Sequence, residues 1–168
     1  MSFQDLKIVE RGSGKVQVRL VDDRTTSGAS ATIKAGEPVK QAADGSPFVI
    51  LCANGDPEQG TDKFVGIALK ESTETSTVDG EVEVFVPATN TVIEGKATTA
   101  ANVDTQAEID ALVGDVVCLD LTTGTFTIDE DEGNDDNVHG FIIVGGDPVK
   151  GTLRVTCKAA ILETGSAL

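Results

Sequence analysis

The chain has 168 residues, enough for one ordinary domain, and its 39% hydrophobic share includes no Trp, no Tyr and only six Phe. Its formal charge of −15 opposes nucleic-acid phosphates and anionic membranes, so neither is an expected partner. No apolar run approaches the roughly 20 residues of a membrane span. The opening MSFQDLKIVERG lacks the apolar core and cleavage site of a signal peptide, so synthesis in a cytoplasm is expected.

In chain order, residues 1–24 hold five basic and four acidic groups. They carry alternating apolar positions: Phe3, Leu6 and Ile8, then Val16, Val18 and Leu20 in "KVQVRLV", set against Lys15, Gln17 and Arg19. The "GSGK" at 12–15 lacks the upstream Gly and following Ser or Thr of a phosphate loop, because Val9 and Val16 stand there, and reads as a turn. "DDRTTSGASA" (22–31) is a linker by composition. We therefore divide the chain into an N-terminal arm and linker, residues 1–27, and a single β-rich body, residues 28–168. The competing reading makes Lys15–Val21 the first barrel strand, and sequence alone leaves it open.

Further on, short strands are predicted at Ala31–Lys34, Phe48–Ala53, Phe64–Lys70, "EVEVFVP" (81–87) and Thr91–Lys96. One helix is predicted over about 105–113. Thr105 and Glu108 form a capping box, Ile109, Leu112 and Val113 share a face, and Gly114 is the stop. Strands follow at Asp115–Leu121, Thr125–Ile128 and Val138–Val144. The last is apolar on both faces and so expected to be central and covered on both sides. "TLRVTCKAAIL" (152–162) alternates most cleanly, with Leu153, Val155, Cys157, Ala159 and Ile161 inward. Many strands with one helix predict an all-β fold, a small β-barrel or β-sandwich.

Residues 71–136 hold seventeen acids and one base, Lys96, so the negative charge is central. Its peak is "IDEDEGNDDNVHG", Ile128–Gly140, which contains the only histidine, His139. The calcium-loop signature fails in both registers: with Gly133 at position 6, Ile128 falls on the first ligand position, and with Asp129 first, Gly140 replaces the final Glu. A solvated hairpin tip, dispensable for folding, is expected there. Cys52, Cys118 and Cys157 sit in apolar runs and read as buried free thiols. No nucleophile-elbow motif is present, and no metal, cofactor or catalytic residue is expected.

Four segments carry a resemblance: "KAGEPVKQAADG", "FVGIALKEST", "DGEVEVFVP" and "GDVVCLDLTTGTFT". Their order is similar to that of the tailed-phage capsid decoration (cement, or head-stabilising) proteins, over about residues 34–161. The resemblance implies a β-tulip-like body with an extended N-terminal arm and no catalytic residues. It implies a structural protein on the outer surface of the virion, bound to the major capsid protein as a homo-oligomer, a trimer ahead of a dimer. Contacts through the arm are then expected at Phe3, Leu6, Ile8, Arg11, Lys15, Val16, Val18 and Arg19. Two alternatives stand beside it: a virion-surface receptor- or glycan-binding module, and a trimeric β-rich nucleotide hydrolase.

Overall fold

The computed structural model describes residues 5–22, 32–43 and 46–162. It is mostly β, with one short helix and two antiparallel sheets, one of them curled into a half-barrel. The strands are β1 (Leu6–Glu10), β2 (Lys15–Val21), β3 (Pro38–Gln41), β4 (Val49–Leu51), β5 (Phe64–Ala68), β6 (Gly80–Val86), β7 (Val92–Lys96), β8 (Val116–Thr122), β9 (Thr125–Asp129), β10 (Phe141–Asp147) and β11 (Thr152–Cys157). One sheet has the order β1-β7-β11-β10-β8-β9, the other β2-β6-β5-β3-β4. A bridge from Leu20 to Phe48 brings the two outer strands of the five-stranded sheet together, and one from Ala97 to Ile128 brings the end of β7 to β9.

Two apolar clusters hold these sheets. The larger gathers Leu6, Phe64, Ile67, Ile93, Leu119, Phe126, Phe141, Ile143, Leu153, Val155 and Cys157. Phe64 and Phe141 meet edge to face across it, with centroids 5.2 Å apart, an arrangement that suits the ring quadrupoles. The smaller cluster holds Val21, Ile33, Val39, Val49, Val65, Ala68, Val82 and Val84. Between them, β5 is buried along its whole length. A Cβ on Gly66 would lie 2.0 Å from the Phe85 carbonyl oxygen, and its φ is +153°, so only glycine lets β5 and β6 approach this closely.

The helix α1 spans Gln106–Leu112 with both halves of the Thr105/Glu108 capping box formed. Ile109 is buried, and Gly114 ends the helix in the left-handed region. Val113 lies past the last helical residue and is exposed, so it does not share the buried face expected of it.

Several boundaries shift. Thr32–Lys34 is not a strand; the pairing falls instead on Pro38–Gln41. Strand β10 begins at Phe141 and runs on through Gly145 and Gly146, with a bulge beyond Ile143 that restores its register with β11. It is central, yet Val144 is 44% exposed, so one of its faces is open. Strand β11 stops at Cys157, and Ala159–Ile161 turns in a short 3-10 helix that still buries Ile161.

The largest difference concerns the N-terminus. Residues expected to form an extended arm instead supply one outer strand to each sheet: β1 pairs with β7 over Leu6–Glu10, and β2 with β6 over Lys15–Val21. Leu6 is 1% exposed, and its N–H donates to the Gly36 carbonyl. Burial of this side chain and a seven-residue ladder outweigh the ordering entropy that a free strand could not offset. The division at residue 27 lies within 23–31, outside the described residues.

Candidate contact surface

The geometry of β2 starts at its turn. Gly14 N–H donates to the Arg11 carbonyl, Ser13 N–H to Asn90 Oδ1, and the Thr91 hydroxyl to the Arg11 carbonyl. A Cβ on Gly14 would fall 2.5 Å from the Phe85 ring, so glycine lets the strand start flush against β6. These contacts fix the register Val16–Phe85, Val18–Glu83 and Leu20–Glu81 on one face, and Gln17–Val84, Arg19–Val82 and Val21–Gly80 on the other.

The consequence inverts the face expected from alternation. Arg19 is 8% exposed and Val21 2%, both on the side of the smaller core cluster, whereas Val16, Val18 and Leu20 are 44%, 55% and 42% exposed. Three β-sheet apolar side chains thus stand in a row in water. Beside them, Glu81 and Glu83 occupy β6, with Lys70 Nζ 3.2 Å from Glu83 Oε2. Arg11 lies over the Phe85 ring at 5.2 Å from its centroid, a cation–π contact that closes the row at the turn.

Of the eight expected contact residues, Phe3 lies outside the described residues. Arg11, Lys15, Val16 and Val18 are exposed at or next to the row. Leu6 and Arg19 are buried and Ile8 is half-buried against the larger core, so these three have little or no surface to offer a partner. Leu20, left off the expected contacts, completes the row.

The acidic loop is more built than a solvated tip. Glu130 is 8% exposed; its Oε2 accepts the Thr98 N–H at 2.9 Å and its Oε1 the Thr99 N–H at 2.8 Å, holding the residues that lead into the Ala100–Asn102 turn. Asp129 is 7% exposed, and its Oδ1 accepts the N–H groups of Asp131 and Glu132. Asp131 bonds to Thr99 and Asn102, and Asn134 Oδ1 accepts the Val116 N–H. Burial pushes the carboxyl groups of Asp129 and Glu130 above the ordinary range, against the pull of those N–H donors. Further along, Lys158 Nζ reaches Asp136 Oδ1 at 2.7 Å. The half of the loop nearest β9 is therefore a structural latch.

His139 follows this loop and is 8% exposed, its backbone bridged to Glu58 and its Nδ1 without a hydrogen-bond partner. Among the described residues no group of three or more His, Cys, Asp or Glu is placed to hold a metal ion. All three cysteines are buried free thiols; burial pushes Cys118 up to about 12 and Cys157 higher still. A second cluster escaped sequence reasoning, Lys40 with Asp56 and Asp62, since it joins a strand to a turn-rich loop and no local pattern announces it.

Comparison with protein-family models, curated proteins and solved structures finds no match to this chain.

Proposed function

We propose that the protein is a structural binding protein that attaches to the outer surface of a phage capsid as an oligomer and braces the head. The observation that carries the reading is the exposed row Val16, Val18 and Leu20, closed at one end by Arg11 and held on a paired strand. A row this apolar costs solubility in a free monomer, and it is the kind of surface that contact with a partner removes from water. The four segments that resemble decoration proteins supply β3, β5, β6 and the β8–β9 hairpin, the strands on which this surface and the larger core rest. A head repeats its sites, so modest contacts sum through multivalency, while the acidic remainder keeps decorated particles apart.

The test is co-sedimentation of the purified protein with expanded heads assembled from the major capsid protein encoded in the same genome. Saturable binding with a fixed ratio of copies to capsid subunits is expected. Free protein left wholly in the supernatant at saturating concentration overturns the reading.

A further inference from the structure

Lys40, Asp56 and Asp62 make a compact and almost closed cluster. Lys40 Nζ lies 2.7 Å from Asp56 Oδ2 and 2.8 Å from Asp62 Oδ1, and the three side chains are 16%, 10% and 11% exposed. Each is held by its backbone. Lys40 is paired on both sides in its strand, with Ile50 on β4 and Phe64 on β5. Asp56 is pinned to β8: its carbonyl accepts the Leu119 N–H and its neighbour Gly55 donates to the Leu119 carbonyl, both at 2.8 Å. Its Oδ2 also accepts the Ala53 N–H. Asp62 Oδ2 accepts the Glu58 N–H at 3.0 Å, and both carboxyl groups meet at the one Lys40 Nζ. The buried Cys52 feels the charge of all three groups, which places the cluster on the edge of the larger core.

Two carboxyl groups in contact cannot both ionise cheaply, and here the environment separates them. Burial dominates at Asp56 and holds its carboxyl above the ordinary range. At Asp62 burial is outweighed by the hydrogen bonds from Lys40 and the Glu58 N–H, which hold it below. Lys40 is likewise kept as an ammonium by its two carboxylate partners, although burial opposes the charge. The arrangement sets one ammonium against two carboxyl groups, one held above its ordinary range and the other below, so that a proton can pass among the three.

We propose that Lys40 and Asp56 join in an intramolecular isopeptide bond, with Asp62 as the proton carrier. Proton transfer within the ion pair gives a neutral amine and a neutral Asp56 carboxyl without net change of charge. Lys40 Nζ then attacks Asp56 Cγ, forming the C–N bond. Asp62 takes the proton released from nitrogen and delivers it to the departing hydroxyl. The C–O bond breaks, one water leaves, and Asp62 ends ionised as it began; no oxidant or reductant is involved. Fixed contact between reacting groups replaces a bimolecular encounter, the source of the large effective molarities of intramolecular reactions. Strand β3 becomes tied covalently to the loop that crosses to β8.

Intact mass under denaturing conditions, followed by a tryptic map of the whole chain, tests this. The expected result is a mass lower by one water, with Lys40 uncut, so that residues 35–63 appear as one peptide short of that water. Water lost instead at the Asp44–Gly45 or Asp79–Gly80 pairs, with Lys40 cleaved normally, overturns the proposal, as does the full mass after prolonged incubation of folded protein. Lys40→Arg keeps a cation between the acids and is expected to fold and show the full mass. Asp62→Asn is expected to slow bond formation at least tenfold, and formation at the wild-type rate removes Asp62 from the reaction.

Discussion

Lys7 reaches from β1 to bring its Nζ within 2.8 Å of Glu94 Oε1 on β7, a carboxylate only 2% exposed in the middle of the six-stranded sheet. Arg154 on β11 takes the other oxygen at 3.0 Å, so the anion lies in a row between two cations on neighbouring strands. Removing Glu94 leaves the two cations facing one another. Burial works against ionisation of Glu94, but the ion pair with Lys7 and the hydrogen bond from Arg154 outweigh it and hold the carboxyl below its ordinary 4.5. A lowered folded value means stability that is complete above the ordinary value and is lost as pH falls through the folded one. Glu94→Gln is expected to cost about 1–3 kcal/mol near neutral pH, the range for hydrogen bonds to charged groups. In paired thermal melts, the gap to wild type should close below pH 4.5. A gap that stays constant into strong acid contradicts the role given to the ion pair.

The same strand provides a test of how far the N-terminus belongs to the body. Leu6→Ala empties a site that is 1% exposed, and a cost of about 2–5 kcal/mol is expected from lost transfer energy and the cavity left behind. Deleting residues 1–14 should lower the melting temperature further or cause aggregation. A truncated chain that melts as the full one does would return these residues to the status of an arm.

The latch at Glu130 predicts a graded pair of variants. Glu130→Ala removes the acceptor of the Thr98 and Thr99 N–H groups and should cost about 1–3 kcal/mol. Glu130→Gln keeps one acceptor oxygen but turns its amide nitrogen toward the other N–H, so it should recover only part of that loss. Its carboxyl is raised by burial, which costs stability at neutral pH and recovers it on acidification, opposite in sign to Glu94. Melting temperatures of both variants equal to wild type would show that the loop is as dispensable as its composition suggests.

On the surface, Val16→Lys with Val18→Lys should change folding stability by no more than about 0.5 kcal/mol for each site, since neither side chain supports a core. Under the proposed function the pair should weaken capsid attachment at least tenfold, about 1.4 kcal/mol. Attachment at wild-type strength would exclude the β2 row as the contact.

Where local chemistry decides the structure, the sequence is plain. The capping box of α1, the Gly114 stop and the alternation of β11 from Leu153 to Cys157 are short-range features, and each appears where its residues place it, whereas Ala159, read as inward, is exposed past the strand's end. What stays hidden is long-range. "KVQVRLV" alternates cleanly, yet which face turns inward depends on a register set by Asn90, Thr91 and Phe85, and a slip of one residue reverses every side chain. Likewise Glu130 reads as part of a charge block because its partners, Thr98 and Thr99, lie in another segment. The exposed row is half legible for the same reason: Val16 and Val18 alternate as they should, but the sequence does not tell them apart from Leu6 and Arg19, which are buried.

Strands β1 and β2 follow one another in the chain but belong to different sheets, and their ladder partners, β7 and β6, lie far along the chain. During synthesis both strands are therefore made well before their partners. The five-stranded sheet cannot gain β2 until the chain has been made past Val86, nor the six-stranded sheet β1 until it has been made past Lys96. Folding dominated by such distant pairings is slow, and during that wait the chain is most exposed to association with other copies. The N-terminal strands make the finished body rigid by postponing its completion.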